Sequence, residues 1–182
     1  MPKVTHVAKA MKDAGTCCKC RAAIKAGEPY KWFANLIGRT SIKKKFCANC
    51  RVRSSDLTTS DKLSRLYAAQ ESIEDILTGD DFTALKAVAP DALQCAANEA
   101  REVGQEYQES FDNMPDGLQQ GDTGQRIEEM ANNCESWADE LESAINEVDG
   151  IEVDEEAENG VEAAVQEVMD AAQAASGSLE VA

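Results

Sequence analysis

Four cysteines in two pairs are the residues of this chain whose types and spacing best suit chemistry. The pairs Cys17-x-x-Cys20 and Cys47-x-x-Cys50 share a two-residue spacer and are separated by 26 residues. Such a spacer lets two thiolates of one tight turn bind the same ion at about 2.3 Å, and a second turn completes the tetrahedron. The pattern predicts a structural Zn2+ site with these four ligands. A rubredoxin-like iron site uses the same ligands and stays open as an alternative.

Three other potential ligands are interpreted differently. Cys18 also precedes Cys20, but the usual two-residue spacer favours Cys17 as the ligand. His6 is the only histidine, and it is interpreted as a surface side chain because four cysteines already fill a tetrahedral site. Cys134 lies at an apolar helical position, where a free cysteine behaves as a small hydrophobe.

The segment between the two cysteine pairs predicts a two-stranded β-ribbon. Aromatic and β-branched residues run from 30 to 37 and from 39 to 46, and Gly38 interrupts them. A two-residue loop at 38 and 39 would fix the register, because each residue then faces a defined partner. The predicted pairs are Ile37 with Thr40, Asn35 with Ile42, Ala34 with Lys43, Phe33 with Lys44, and Trp32 with Lys45.

In this register the two faces of the ribbon differ in chemistry. One face predicts a miniature core made of Phe33, Ile37, Ile42 and Phe46. The other places aromatic rings beside ammonium groups, which suits base stacking and phosphate neutralisation. The candidate nucleic-acid-binding residues, including nearby arginines, are Tyr30, Trp32, Arg39, Lys43, Lys45, Arg51 and Arg53. Two alternatives stay open: the aromatic rings pack against helices, or the lysines form a solvated strand that prevents edge-to-edge association.

Charge divides the chain into a basic and an acidic part. Residues 1–53 hold 13 Lys and Arg against two acids, a net charge of +11. Residues 54–182 hold 5 Lys and Arg against 32 acids, a net charge of −27. The basic part therefore predicts an anionic partner. The acidic part is interpreted as a solvated bundle, as a mask over the basic ribbon, or as an imitation of DNA that binds another protein's basic groove.

From residue 58 onward the periodicity of apolar residues is helical. One helix is capped by Thr59 or Ser60 and ends near Gly79, and a second runs from about 90 to 111 with Pro90 in its first turn. A third, at 127–148, has an unbroken heptad pattern, so helices two and three are expected to pack as an antiparallel pair or with a second subunit. An Ala-rich helix at 161–175 is expected to bury little.

These patterns predict an α+β protein with a small zinc-stabilised β-hairpin module followed by an acidic, mostly α-helical domain. The predicted divisions are a basic four-cysteine zinc-binding module at 1–56, a helical hairpin or bundle at 57–149, and an acidic, partly disordered segment at 150–182. With 43% hydrophobic but 5% aromatic residues, the core is expected to consist mostly of Ala, Leu, Val and Ile.

The order of residues around the cysteines resembles that of known zinc fingers. The motif Cys17-x-x-Cys20-x-x-x-Ile24-x-x-Gly27-Glu28-x-Tyr30-x-Trp32, a basic strand, and Cys47-x-x-Cys50 together resemble treble-clef-like fingers, including the poly(ADP-ribose) polymerase type that binds broken DNA. That type has His and Cys in its second pair, so recognition of DNA ends is not carried over. The runs 46–53, 57–60 and 66–71 look like small uncharacterised zinc-finger proteins encoded by bacteriophages. The resemblance implies a phage origin but no particular activity.

Several classes of protein are disfavoured. The chain has no Gly-rich phosphate loop and no Ser-His-Asp set, so it is not expected to be an enzyme. No apolar run reaches the roughly 18 residues of a membrane span, and the N-terminus lacks a signal-peptide pattern, so we expect a cytoplasmic protein of a bacterial host. The cysteine pairs fit a reducing compartment better than secretion.

Two functions fit these expectations. The first is a phage-encoded zinc-finger protein that binds nucleic acid or has a regulatory role. Its acidic helices then serve for contacts with partners or for masking its own basic part. The alternative is an adaptor or DNA mimic that binds a host or virion protein, with zinc purely structural. The expected partners are accordingly nucleic acid or a host or phage protein, and the helices also suit a homo-oligomer.

Overall fold

The computed structural model describes residues 2–37, 40–79, 81–154 and 159–179. The chain divides into two compact units, Met1–Tyr67 and Ala68–Ala182. The described strands lie in the first unit, and long helices dominate the second. The predicted α+β class is therefore confirmed. None of the helices in these ranges is both long enough and apolar enough to cross a lipid bilayer.

Two small antiparallel sheets form the first unit. One has the strand order β1-β4-β5, and the other pairs β2 with β3. The strands are β1 (Thr5–Val7), β2 (Gly15–Thr16), β3 (Ala23–Ile24), β4 (Tyr30–Ile37) and β5 (Thr40–Cys47). The first cysteine pair lies in the turn between β2 and β3, and the second begins at the last residue of β5. The ends of the strands therefore position both pairs.

The register of β4 and β5 is the one that the two-residue loop predicts. Phe33 lies opposite Lys44, Trp32 opposite Lys45, and Ile37 opposite Thr40. Because paired residues share a face, the predicted division of the ribbon into two faces follows from the same register. Residues 38 and 39, including the candidate Arg39, lie outside the described residues.

The core of the first unit differs in composition from the predicted one. Phe33 and Phe46 are buried and stack with ring centroids 5.6 Å apart, and Cys17 and Ile24 complete the buried cluster. Ile42 was expected in this core but is 47% exposed, and the side chain of Ile37, which was also expected there, lies outside the described residues. A core of this size is marginal for a unit of fewer than 70 residues, so a metal ion would have to supply much of its stability.

The second unit is framed by three long helices. They are α3 (Phe82–Asp112), α5 (Asp122–Gly150) and α6 (Gly160–Gly177), and the short α4 (Asp116–Gln119) lies between α3 and α5 in the sequence. Helix α1 (Ser54–Leu57) belongs to the first unit, and α2 (Asp61–Ile76) begins in the first unit and ends in the second. Arg101 of α3 pairs with Asp139 and Glu142 of α5, whereas Gly104 lies against Cys134. Residue numbers therefore rise along α3 while those of the contacted residues fall along α5, so the two helices are antiparallel, as predicted. The boundary between the units falls within α2.

Helix α3 begins eight residues before the predicted start. The side chain of Asp81 caps it by accepting hydrogen bonds from the N–H groups of Thr83 and Ala84, at 2.9 and 3.2 Å. Pro90 therefore lies inside the helix, where it removes one backbone hydrogen bond. The cap and the burial of Leu85 and Ala89 offset that loss. A start at Pro90 was the wrong prediction, since Asp81 begins this helix.

Helix α6 buries more than its composition suggested. It packs against α5 and α3, and its buried residues are Gly160, Ala164, Val168, Ala171, Ala172, Ala175 and Ser176. Small side chains let neighbouring helices approach closely, so an Ala-rich face can be well packed. The Nε1–H of Trp137 on α5 donates a hydrogen bond to the Ala175 carbonyl at 2.9 Å, which ties α6 to the unit.

Candidate metal centre and basic ribbon

The four paired cysteines converge on one point. The Sγ atoms of Cys17, Cys20, Cys47 and Cys50 all lie within 4.8 Å of one another, and those of Cys20 and Cys47 are 3.6 Å apart. Four sulfurs that bind one ion at about 2.3 Å stand about 3.8 Å apart in a tetrahedron. The cluster is therefore compatible with a single tetrahedral metal ion held by the four predicted residues.

Backbone N–H groups prepare Cys17 to bind a cation. Burial raises the pKa of the Cys17 thiol, but the N–H groups of Cys20, Cys47 and Lys19 donate to its sulfur and together lower the pKa to about 6. The Cys17 carbonyl also accepts a hydrogen bond from the Arg21 N–H at 3.1 Å, which closes the turn. The lowered pKa of Cys17 favours the thiolate, the form in which cysteine binds metals.

The pKa of the Cys50 thiol is raised, whereas that of Cys17 is lowered. Hydrogen bonds shared with the sulfurs of Cys47 and Cys20 raise the pKa of Cys50 to about 12. Four thiolates this close repel one another, so the cluster without a cation retains protons. A bound dication removes the conflict, because coordinated thiols are deprotonated outright.

Cys18 and His6 lie outside the sulfur cluster, as predicted. Cys18 is exposed, and its backbone N–H donates to the Lys45 carbonyl at 2.8 Å. This bond attaches the first cysteine turn to β5. His6 is exposed on β1, opposite Lys31 of β4. The sulfur of Cys17, and not that of Cys18, thus belongs to the cluster that is compatible with a metal site.

Arg21, the residue after the first cysteine pair, has a left-handed backbone with φ of 62°. This conformation costs an L-residue roughly 1–2 kcal/mol, which glycine avoids at an entropic cost of roughly 0.5–1 kcal/mol. We therefore expect Arg21→Gly to leave the stability unchanged or to raise it by up to about 1 kcal/mol, and Arg21→Val to lower it by more than about 1 kcal/mol. Denaturant unfolding of the metal-loaded chain measures both.

Arg21→Ala is the matched control for this prediction. It removes the guanidinium but keeps the left-handed strain, so its stability is expected to remain near that of the parent chain. A glycine variant less stable than the alanine variant would contradict the assignment of strain to this position.

The polar face of the ribbon brings together Trp32 and Lys43. The Lys43 Nζ lies 4.9 Å from the centre of the Trp32 ring, within cation–π distance. Lys43 is exposed and Trp32 is half-buried. A flat ring beside an exposed ammonium offers a nucleic acid one stacking surface and one phosphate contact.

Three other lysines bind backbone carbonyls of the first unit. The Nζ of Lys31 donates to the Cys50 carbonyl at 3.0 Å, that of Lys44 to the Asp56 carbonyl at 3.2 Å, and that of Lys45 to the Ala14 carbonyl at 2.6 Å. These ammonium groups hold together loops that the small core does not reach. The candidate Lys45 therefore has a structural partner, which sequence reasoning missed because Ala14 is 31 residues away.

The remaining ribbon candidates differ in exposure. Tyr30 is half-buried and packs against the cluster of Cys17, Ile24, Phe33 and Phe46. Arg51 is exposed, whereas Arg53 is half-buried and its backbone N–H donates to the Asp56 carboxylate at 3.0 Å. Lys43 and Arg51 are thus the exposed cations among the described candidates.

The charges of the two compact units have opposite sign. Residues 1–67 hold 15 Lys and Arg against 4 Asp and Glu, a net charge of +11. Residues 68–182 hold 3 Lys and Arg against 30 Asp and Glu, a net charge of −27. The first unit therefore attracts anions, and the second attracts cations.

Comparison with known proteins gives no further guide. No family model, curated protein or solved structure matches this chain. The resemblance to bacteriophage zinc fingers stays a prediction carried by the residues around the cysteines. What the site binds must follow from its own sulfur geometry and charge.

Proposed function

We propose that this chain is a phage-encoded zinc-finger protein that binds nucleic acid or regulates a process that uses it. Zn2+ is the metal of the four-cysteine site, and its role is structural. The Lys43 ammonium and the Trp32 ring, 4.9 Å apart in a unit of net charge +11, support this function most directly. The acidic second unit serves for contacts with partners or for masking the first.

A structural role for the metal follows from the donor set. Four cysteines fill a tetrahedron, so no position stays open for a water or substrate as catalytic zinc requires. The protein is therefore proposed as a binding protein and not as an enzyme. Iron is the competing metal for four thiolates, and elemental analysis of the purified protein distinguishes it from zinc.

The proposed interface combines two kinds of contact. Lys43 and Arg51 neutralise phosphates, which strengthens binding to any sequence and makes it sensitive to salt. Trp32 stacks on a base, an interaction worth about 1–3 kcal/mol per base. A surface of this kind binds single strands with modest sequence preference.

We expect the zinc-loaded full chain to bind a single-stranded oligonucleotide at low salt. With two phosphate contacts, from Lys43 and Arg51, the affinity should fall roughly sevenfold between about 50 and 200 mM salt. Lys43→Glu should weaken binding to all sequences and reduce the salt slope by about 1. Fluorescence anisotropy titrations at several salt concentrations measure both quantities.

Arg126→Glu is the matched control, because it makes the same charge change at an exposed position of the acidic unit. It should leave the salt slope unchanged. A fragment of residues 1–78, which keeps α2 whole, tests masking: tighter binding than the full chain supports it. If neither the chain nor the fragment binds any nucleic acid at low salt, the proposed function is wrong.

A second function is favoured by the net charge of −27 on the second unit. In this proposal the chain is an adaptor or a DNA mimic, and its helices bind a basic surface of a host or virion protein. A partner that stays bound after nuclease treatment, and after Lys43→Glu and Lys45→Glu, would favour this function over the first.

A further inference from the structure

An open groove of about 450 Å³ lies in the first unit beside β4. Its volume falls within the roughly 300–1,000 Å³ of small-ligand sites. The residues that line it include Asn35, Leu57, Thr58, Thr59, Leu63 and Tyr67. No cysteine of the metal centre lines it, so it is distinct from that centre.

Asn35 gives the groove a buried polar group. It is 5% exposed and is one of two buried polar residues in the described part of the chain, the other being Ser176. A buried amide is costly unless it is hydrogen-bonded, and its oxygen and nitrogen offer one acceptor and two donors side by side. A ligand with a complementary polar edge can therefore pair with it.

The other lining residues restrict the chemistry of the ligand. Leu57, Leu63 and the ring of Tyr67 supply apolar surface, and Thr58 and Thr59 supply hydroxyl groups. None of the residues that the structure places in this groove is charged. A phosphate or carboxylate would find no counter-charge here, whereas a neutral, flat ring with polar edges finds both kinds of partner.

The groove lies in a basic unit. The unit that contains it has a net charge of +11. The exposed Ile42 lies directly opposite Asn35 on the same face of the ribbon. A neutral pocket in a basic unit fits a ligand whose ring is neutral and whose backbone is anionic.

We propose that this groove, the base groove, receives one unpaired nucleobase of a single-stranded nucleic acid. The inference rests on the proposed nucleic-acid function and specifies it: the Asn35 amide pairs with the edge of the base, and the Tyr67 ring packs on its face. An asparagine amide matches the adjacent donor and acceptor of adenine, so adenine is the expected base. Single-stranded bases are commonly recognised by such stacking and edge pairing.

The test uses the zinc-loaded full chain and thymidine strands of about 13 nucleotides whose central position is adenine, cytosine or an abasic site. Fluorescence anisotropy at low salt should give about tenfold tighter binding to the adenine strand than to the abasic strand, since stacking and pairing of one base are worth at least about 1.4 kcal/mol. This comparison needs only the parent protein, so it does not depend on the folding of any variant.

Two variants test whether Asn35 is responsible for the preference for adenine. Asn35→Leu, of similar size, should bind the adenine and abasic strands equally while still binding both. Asn132→Leu makes the same change at an exposed position of α5 and should preserve the preference for adenine. Zinc content and the thermal midpoint of each variant check that it is folded.

The outcomes separate the two proposals. Equal affinity of the parent chain for all three strands overturns the base groove and leaves the nucleic-acid function standing. A preference for adenine that survives Asn35→Leu in a folded variant also overturns the groove as its site. Absence of binding to any strand overturns both.

Discussion

Replacing Cys20 by serine is expected to unfold the first unit and to leave the second unit folded. The first unit has a buried cluster of four residues, whereas metal binding supplies roughly 10–16 kcal/mol in small zinc domains. Loss of one of four ligands removes most of that free energy. The second unit has a separate core along α3, α5 and α6, so its helices do not depend on the metal.

Elemental analysis and amide NMR spectra together measure this effect. The parent chain should contain one metal ion per molecule and show dispersed signals from β4 and β5. Cys20→Ser should lose the metal and that dispersion, while far-UV circular dichroism retains most of its helical signal. Because the two readouts report on different units, partial unfolding is distinguished from global unfolding.

Two exposed cysteines provide matched controls. Cys18→Ser and Cys95→Ser remove thiols that lie outside the sulfur cluster, so metal content and spectra should not change. The metal site would be refuted by a parent chain that contains no metal under reducing conditions and keeps β4 and β5 ordered in a strong chelator.

The parts of the fold that sequence could predict are those set by local rules. A two-residue loop fixes the register of a ribbon, and the observed pairing of Phe33 with Lys44 follows from it. A two-residue spacer fixes the distance between two thiols, so the convergence of Cys17 and Cys20 needed no knowledge of the rest of the chain. Heptad spacing likewise placed Cys134 and Trp137 in the core.

Contacts between residues far apart in sequence were not predictable in this way. The Lys45 ammonium reaches the carbonyl of Ala14, and no spacing rule connects positions 31 residues apart. Nor does a pattern reveal which of several helix-start signals is used: Pro90 suggested one start, and the cap at Asp81 provides another. The first contact depends on tertiary packing, and the second depends on which of two local signals begins the helix.

The sequence contains one sign of the base groove, which is the polar residue Asn35 in an apolar stretch of β4. Asn35 lies between Phe33 and Ile37 on the face of the ribbon where the miniature core was predicted, so a polar residue interrupts an apolar pattern. Such an interruption marks either the end of a core or a buried polar group with a function. Exposure distinguishes the two, and only the structure supplies it: Asn35 is 5% exposed although Ile42, its partner across the ribbon, is 47% exposed.

The largest expected effect on the second unit comes from Trp137. Its side chain is 1% exposed between the helices, and its Nε1–H donates to the Ala175 carbonyl. Trp137→Ala should lower the free energy of unfolding by about 3–5 kcal/mol, because it removes a large buried side chain and leaves a cavity. Trp137→Phe keeps an aromatic ring but removes the Nε1–H donor. The Ala175 carbonyl still accepts a hydrogen bond from the Ser178 hydroxyl at 2.9 Å, so the lost bond should cost only about 0.5–1.5 kcal/mol.

Urea unfolding of the zinc-loaded chain, followed by helical circular dichroism, measures both losses. Leu118→Ala is the matched control, since Leu118 is 56% exposed and its truncation should change stability by no more than about 0.5 kcal/mol. Hydrogen exchange adds a test of location: because Trp137 bonds to α6, the amides of that helix should lose protection first in Trp137→Phe. A phenylalanine variant as stable as the parent, with α6 still protected, would show that this hydrogen bond does not hold α6 in place.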